Sequence, residues 1–172
     1  MESKPALLHN NKVLVQDMRK RDQLIQKGFG ELRGKELVLD LKEALYLQEK
    51  EDIEVEHHDG KKASREQLLR LACKEKDFNA KFAVYSDIRS RGFVIKTGYK
   101  FGFDFRVYPR GKKPGEEHTQ WVIHVTTQEK RFGMSEMSRM VRLAGNLRTT
   151  LLHAVVDSEN DINYYEIQRV VP

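Results

Sequence analysis

The spacing of apolar residues changes near residue 93 from the period of a helix to that of a strand. This change limits the fold more than any other feature of the sequence. Within residues 78–88, apolar side chains recur every three or four positions, which predicts one buried face of a helix. Within residues 99–108, the odd positions are aromatic or aliphatic and most even positions are polar, which predicts a strand with one packed face. A chain that contains both periods belongs to a mixed α/β (α+β) class.

Tyr108 falls on the polar face of this predicted strand. It shares the even positions with Asp104 and Arg106, so we expect its side chain to meet solvent or a ligand. The next segment, residues 109–118, is rich in Pro, Gly and Lys, which predicts a loop, and it ends in His118. A histidine can donate or accept a proton at physiological pH. The tyrosine and the histidine could therefore act together across the loop, or the histidine could simply be solvated.

The first half of the chain predicts a small mixed unit of its own. Short strands are expected over residues 12–15 and 36–39. Asp40 and Ser64 are each followed three residues later by Glu or Gln, the capping-box pattern that marks the start of a helix. These elements predict a compact N-terminal domain with its own strands and helices.

A domain boundary is expected after residue 76. It separates a small mixed N-terminal domain, residues 1–76, from a C-terminal domain with a mixed sheet, residues 77–172. The further elements expected in the C-terminal domain are strands over residues 121–126, 151–156 and 164–171 and a helix over residues 134–149.

Positive charge is concentrated in one segment of the chain. The whole sequence has a net charge of +5, whereas residues 81–115 hold nine basic and two acidic residues, a net charge of +7. Aromatic residues are interleaved with these cations, a combination that suits phosphate attraction and base stacking, although core packing also explains aromatics at strand spacing.

The single cysteine, Cys73, excludes an internal disulfide. No apolar run approaches the ~20 residues of a membrane span and no signal peptide is evident, so we expect a cytoplasmic protein without a membrane partner.

Several ordered blocks of the sequence together form a family pattern. They are residues 85–102, Phe105-Arg106-Val107-Tyr108, Gly115-Glu116-Glu117-His118, and residues 142–148, 155–157 and 164–165. Their sequences and their order closely resemble those of archaeal tRNA-splicing endonucleases of the short, single-unit type. The resemblance is dense from residue 85 onward and looser in the N-terminal half.

This resemblance implies a C-terminal catalytic domain that cleaves RNA without a metal or other cofactor. The implied substrate is precursor tRNA whose intron boundaries form a bulge–helix–bulge element. The ribose 2′-hydroxyl attacks the adjacent phosphate and leaves a 2′,3′-cyclic phosphate and a 5′-hydroxyl. The family's general base falls on Tyr108 and its general acid on His118. The two family arginines that grip a flipped base fall on Arg142 and Arg169.

Position 149 departs from the family pattern. The family has a catalytic lysine after the residue that corresponds to Arg148, whereas this chain has Thr149, which we expect on the same helix face as Arg142 and Asn146. Removing one such electrostatic group typically lowers the rate by on the order of 10²–10³. Three explanations follow: an engineered or natural loss of activity, a replacement cation such as Arg148 or Lys130, or a non-catalytic structural subunit of a two-chain endonuclease. A general RNA-binding module is a further alternative.

The resemblance also implies self-association, as a homotetramer or as a mixed tetramer of two chain types. The final strand would pair with its twin through an open edge. The acidic segment 157–161 would dock into a basic cleft of the opposing dimer, although its composition alone predicts only a solvated hairpin turn.

Overall fold

The chain separates into two compact units, Met1–Phe78 and Asn79–Pro172. The computed structural model describes residues 4–112 and 114–172. Each unit contains a five-stranded mixed sheet with helices, which confirms the predicted mixed α/β class. Within the described residues, no helix is long and apolar enough to cross a membrane.

The N-terminal unit combines a sheet in the order β3-β4-β2-β1-β5 with three helices among its described residues. Its strands are β1 (Ala6–His9), β2 (Lys12–Val15), β3 (Glu31–Arg33), β4 (Glu36–Leu39) and β5 (Val55–Glu56), and its helices are α1 (Met18–Gln26), α2 (Leu41–Glu49) and α3 (Arg65–Ala72). Both predicted capping boxes are present, at Asp40 before α2 and at Ser64 before α3. Each such cap typically contributes about 1 kcal/mol to helix stability.

The C-terminal sheet has the order β10-β9-β8-β7-β6. The elements are α4 (Phe78–Ser90), β6 (Val94–Thr97), β7 (Phe105–Tyr108), β8 (Trp121–Thr127), α5 (Met134–Asn146), β9 (Thr150–Val156) and β10 (Ile162–Ile167). Strands β8 and β9 are parallel and α5 forms the crossover between them, whereas the other neighbouring strands are antiparallel. Met140 and Ala144 of α5 pack against Val122 and Leu151 of the sheet and bury one of its faces.

The strand predicted over residues 99–108 is shorter than the alternation indicated. A 3₁₀ turn over Tyr99–Phe101 interrupts it, and β7 begins only at Phe105. Gly98 makes this compact turn possible, because a Cβ at that position would lie 2.9 Å from the carbonyl carbon of Phe105. Gly102 ends the turn in the left-handed conformation, with φ of +81°. Steric limits on the backbone therefore override the side-chain pattern.

Helix α5 ends at Asn146, three residues before the predicted end. Arg148 adopts a left-handed conformation with φ of +54°. Its N–H donates to the carbonyl of Gly145 at 3.0 Å, and the N–H of Thr149 donates to the carbonyl of Ala144 at 3.1 Å, which together form a Schellman motif. Thr149 therefore lies outside the helix, and the prediction that placed it on a helix face is wrong.

Strand β10 forms one edge of the C-terminal sheet and ends at Ile167, although residues 164–171 were predicted to be extended. The hydroxyl of Tyr164 donates to Asp87 of α4 at 2.8 Å. Asp87 also accepts from the guanidinium of Arg91 at 2.9 Å. Burial and the bond to Asp87 raise the pKa of Tyr164, so the phenol keeps its proton and fastens the edge strand to α4.

Candidate active site

Tyr108 and His118 lie at opposite ends of the loop that joins β7 to β8. Tyr108 is the last residue of β7, and His118 lies in the loop before β8. The N–H of Gln120 donates to the carbonyl of Val107 at 2.7 Å and closes the loop. This bond joins the peptide groups next to the Cα atoms of Tyr108 and Gln120, which therefore lie within about 7 Å of each other. His118 is two residues further, so its Cα lies within about 14 Å of that of Tyr108, a span that two side chains with a phosphate between them can bridge.

Tyr108 lies on the same face of β7 as Arg106, but it is only 4% exposed. The expectation that it faces solvent is therefore wrong for the single chain. The guanidinium carbon of Arg106 lies 5.9 Å from the centre of the Tyr108 ring, and Val94 is the cross-strand neighbour on β6. These neighbours account for the low exposure of a residue whose strand position was predicted correctly.

The other predicted site residues are exposed. His118 lies in the loop, Arg142 on α5 and Arg169 after the end of β10. Within residues 4–112 and 114–172, neither a hydrogen bond nor a ring contact joins His118 to Tyr108. The hairpin thus carries a buried phenol and an exposed imidazole, while the two arginines lie on separate elements and are exposed.

Position 149 lies close to the hairpin but carries no charge. Thr150 pairs with Trp121, so Thr149 lies beside the start of β8, about 10 Å from Tyr108 at the usual strand spacing. The hydroxyl oxygen of Thr149 is buried and has no hydrogen-bond partner. Lys130 follows the far end of β8, about 20 Å along the strand from Trp121, so it cannot replace the missing cation. Arg148 is exposed and adjacent to Thr149.

A buried ionic cluster supports the start of β7. Asp104 is 9% exposed, which corrects the prediction that it faces solvent. One carboxylate oxygen accepts from the N–H of Val125 at 2.8 Å and lies 3.3 Å from Nδ1 of His124, and the other lies 3.2 Å from Nζ of Lys81. Burial by itself would raise the pKa of Asp104, but the bonds from His124 and Val125 and the charge of Lys81 outweigh it and lower the pKa. The ionised carboxylate therefore holds β7 against β8.

Two neighbouring histidines extend this cluster into the sheet. The rings of His124 and His153 lie 5.4 Å apart, and Phe132 packs against both. Nε2 of His153 lies 3.0 Å from the hydroxyl of Thr126. Burial and the nearby His124 lower the pKa of His153. In the described part of the chain, no three His, Cys, Asp or Glu side chains are grouped to hold a metal ion.

Comparison with known proteins defines the class to which both units belong. Residues 5–69 match the family model of the tRNA intron endonuclease N-terminal domain. Residues 78–164 match the model of the tRNA intron endonuclease catalytic C-terminal domain, which includes both hairpin residues. The two matches follow one another along the chain as the two structural units do.

Individual relatives cover most of the chain. A tRNA-splicing endonuclease of Thermococcus onnurineus is 43% identical over 143 residues, which cover 83% of this chain and 81% of the relative. A tRNA-splicing endonuclease of Methanococcus vannielii is 33% identical over 164 residues, which cover 95% of this chain and 92% of the relative. The chain belongs to the tRNA intron endonuclease family, and the resemblance seen in the sequence is confirmed.

Proposed function

We propose that this chain excises introns from precursor tRNA at bulge–helix–bulge elements. In the proposed reaction, Tyr108 acts as general base and removes the proton of a ribose 2′-hydroxyl, and the 2′-oxygen forms a bond to the adjacent phosphorus. The bond from phosphorus to the 5′-oxygen of the next nucleotide breaks, and His118 donates a proton to that oxygen. The products are a 2′,3′-cyclic phosphate and a 5′-hydroxyl. The chemistry needs no metal ion, because these two side chains handle both protons.

The single observation that carries this proposal is the closed β7–β8 hairpin. In a chain of this family, the hairpin carries a phenol at one end of its loop and an imidazole at the other, with Cα atoms within about 14 Å of each other, which supports a shared role in proton transfer. Recognition of the bulge would come from Arg142 and Arg169, because guanidinium planes stack on unpaired bases and also bind phosphates. Such recognition depends on the shape of the RNA more than on its sequence.

The proposed enzyme assembles as a homotetramer. Strand β10 lies at the edge of its sheet and pairs with β9 in the described structure, so its other edge is available for a second copy. The turn after β9 is ordered by Asp157, whose carboxylate accepts from the N–H groups of Glu159 and Asp161, both at 2.9 Å. These bonds leave the exposed side chains of Glu159 and Asp161 available to meet basic residues of another dimer.

A second candidate function is that of a non-catalytic subunit in a two-chain endonuclease. Thr149 favours it, because a buried, uncharged hydroxyl cannot stabilise the negative charge of the reacting phosphate. The burial of the Tyr108 ring in the single chain also favours a non-catalytic subunit.

Incubation of the purified chain with intron-containing tRNA in EDTA tests the proposal. Cleavage that leaves cyclic phosphate ends supports the enzyme. His118→Ala should abolish cleavage and spare RNA binding, whereas His9→Ala, a change at an exposed histidine of the other unit, should alter neither. Equal loss of cleavage and binding in His118→Ala would contradict its role as general acid.

Two other outcomes identify the alternatives. If neither the parent chain nor Thr149→Lys cleaves, and activity appears only with a second chain, the subunit reading is correct. If the chain binds RNA with an affinity that depends on salt but not on bulges, it is a general RNA-binding module.

A further inference from the structure

Arg106 is held rigidly beside the proposed general base. Its guanidinium carbon lies 4.6 Å from the centre of the Phe101 ring and 5.9 Å from that of Tyr108. Its Nε donates to the carbonyl of Thr97 at 3.3 Å. These contacts involve two aromatic rings and one N–H of the guanidinium group, and they leave its terminal nitrogens unused.

The charge of Arg106 is not neutralised within its own sheet. Among the residues that the structure describes, no carboxylate forms an ion pair with Arg106. The register of β6 and β7 instead places Lys96 directly opposite it, on the same face. Like charges in directly opposed positions repel each other, so an anion bound on this face would be attracted by both side chains.

The position of Arg106 relative to Tyr108 suits a phosphate. The two residues are separated by one position on β7, so their side chains lie on one face about 7 Å apart along the strand. A phosphate between Tyr108 and His118 would lie at the end of this row, within reach of a long arginine side chain. Thr149, across the sheet, offers it no charge.

We propose that Arg106 is a further catalytic residue, whose guanidinium binds the non-bridging oxygens of the scissile phosphate and stabilises the negative charge of the transition state. Guanidinium donors match phosphate oxygens in pairs, and the contact with the Phe101 ring helps to hold them in position before the substrate arrives. This inference rests on the proposed endonuclease function. It also names a cation for a site in which position 149 is uncharged.

The chain offers a matched control in Arg110. Its guanidinium carbon lies 4.9 Å from the ring of Phe93, so it too is an arginine stacked on an aromatic ring near the hairpin. Phe93 contacts Trp121, however, and Trp121 pairs with Val107, whose side chain lies on the opposite face of β7 from Arg106. Arg110 should therefore not reach the phosphate.

Single-turnover cleavage of intron-containing tRNA, with RNA binding measured separately, tests this role. Arg106→Ala should lower the cleavage rate by about 10²-fold, the usual effect of removing one group that stabilises transition-state charge, with little change in binding. Arg106→Lys should recover part of that loss, because it keeps the charge but loses the paired donors. Arg110→Ala should cleave at the parent rate. Arg106→Gln, which keeps part of the aliphatic chain and a polar end without the charge, serves if Arg106→Ala does not fold.

The same substitutions in a Thr149→Lys chain separate catalysis from structure. If an ammonium at position 149 stabilises the same charge, Arg106→Ala should cost less than tenfold in that background. If Arg106→Ala lowers the cleavage rate by the same factor in both backgrounds, Arg106 has a structural role and the inference is overturned. The inference is also overturned if the Arg106→Ala chain cleaves at the rate of the parent chain. Cleavage that appears only after Thr149→Lys also overturns it, and it would show that the fold supports the reaction but that this chain has lost its activity at position 149. Absence of cleavage from both the parent chain and the Thr149→Lys chain overturns the proposed function itself.

Discussion

Replacement of Asp104 by Asn should destabilise the chain by about 3–5 kcal/mol, the usual cost of removing one partner from a buried ion pair. The Asp104 side chain is 12% exposed and that of Lys81 13%, so solvent screens their 3.2 Å contact only weakly. The amide of Asn keeps the shape of the carboxylate but not its charge. It would weaken the bonds with Val125 and His124 and take a counter-charge from Lys81.

Urea unfolding followed by the fluorescence of Trp121 measures this loss. The chain has one tryptophan, and it lies on β8, the strand to which Asp104 binds. With an m-value of about 2 kcal/mol/M, the midpoint should fall by roughly 2 M. Glu129→Gln, at an exposed position of the same unit, should change stability by less than about 0.5 kcal/mol.

The effect should also depend on pH in a defined direction. The folded-state pKa of Asp104 is lower than its unfolded value, so its stabilisation is complete above about pH 4 and is lost as the pH falls through the folded pKa. The midpoints of the parent and of Asp104→Asn should therefore converge below pH 4. Equal midpoints at pH 7 would refute the reasoning, because they would mean that the carboxylate does not hold β7 to β8.

Three further predictions concern the stability of the same unit. Because the folded pKa of His153 is lower than its ordinary 6.5, stability should decline as the pH falls below that value, and His153→Gln should flatten this part of a plot of urea midpoint against pH. Gly98→Ala should cost about 1–3 kcal/mol in urea unfolding, because its Cβ would meet backbone at 2.9 Å, whereas Gly145→Ala, in open space on α5, should add about 0.5–1 kcal/mol. Arg148→Gly should raise the melting temperature by about 2–4 °C by relieving its φ of +54°, and Arg148→Ala should not.

Features encoded by a few adjacent residues were predicted well. The capping boxes at Asp40 and Ser64 are each complete within four residues, and strands β2 and β4 have the predicted bounds. Strand β1 was missed, because four residues that alternate only weakly carry little signal before their partner strand is known.

The predicted bounds of strands and helices were wrong where backbone sterics or tertiary contacts determine where an element begins or ends. The alternation in residues 99–108 satisfied a strand pattern, but the turn that Gly98 makes possible uses half of those residues. Helix α5 ends without a glycine, because Arg148 occupies the left-handed position that glycine usually takes. A sequence pattern indicates which residues prefer burial, and it does not measure the room available to the backbone.

In the candidate site, too, some features could be predicted from the sequence and others depend on tertiary contacts. Tyr108 and His118 were assigned through the family resemblance, and their joint position in one hairpin agrees with that assignment, although their catalytic roles remain predictions. Asp104 was expected to face solvent, because its burial depends on a lysine 23 positions earlier in the chain and a histidine 20 positions later. Arg106 was not considered as a cation of the site. The sequence does place Arg106 two positions before Tyr108, and so on the same face of the strand. Its contact with Phe101 and the position of Lys96 opposite it appear only in the folded sheet.

The closed β7–β8 hairpin suggests a position at which the chain can be cut into two fragments that reassemble. A cut between Gly111 and Lys112 breaks no strand, and it leaves Tyr108 on the first fragment and His118 on the second. The two pieces would rejoin through the β7–β8 ladder and the bond from Gln120 to Val107. If Tyr108 and His118 act as proposed, neither fragment would cleave RNA alone, so RNA cleavage would report that the two fragments had reassembled.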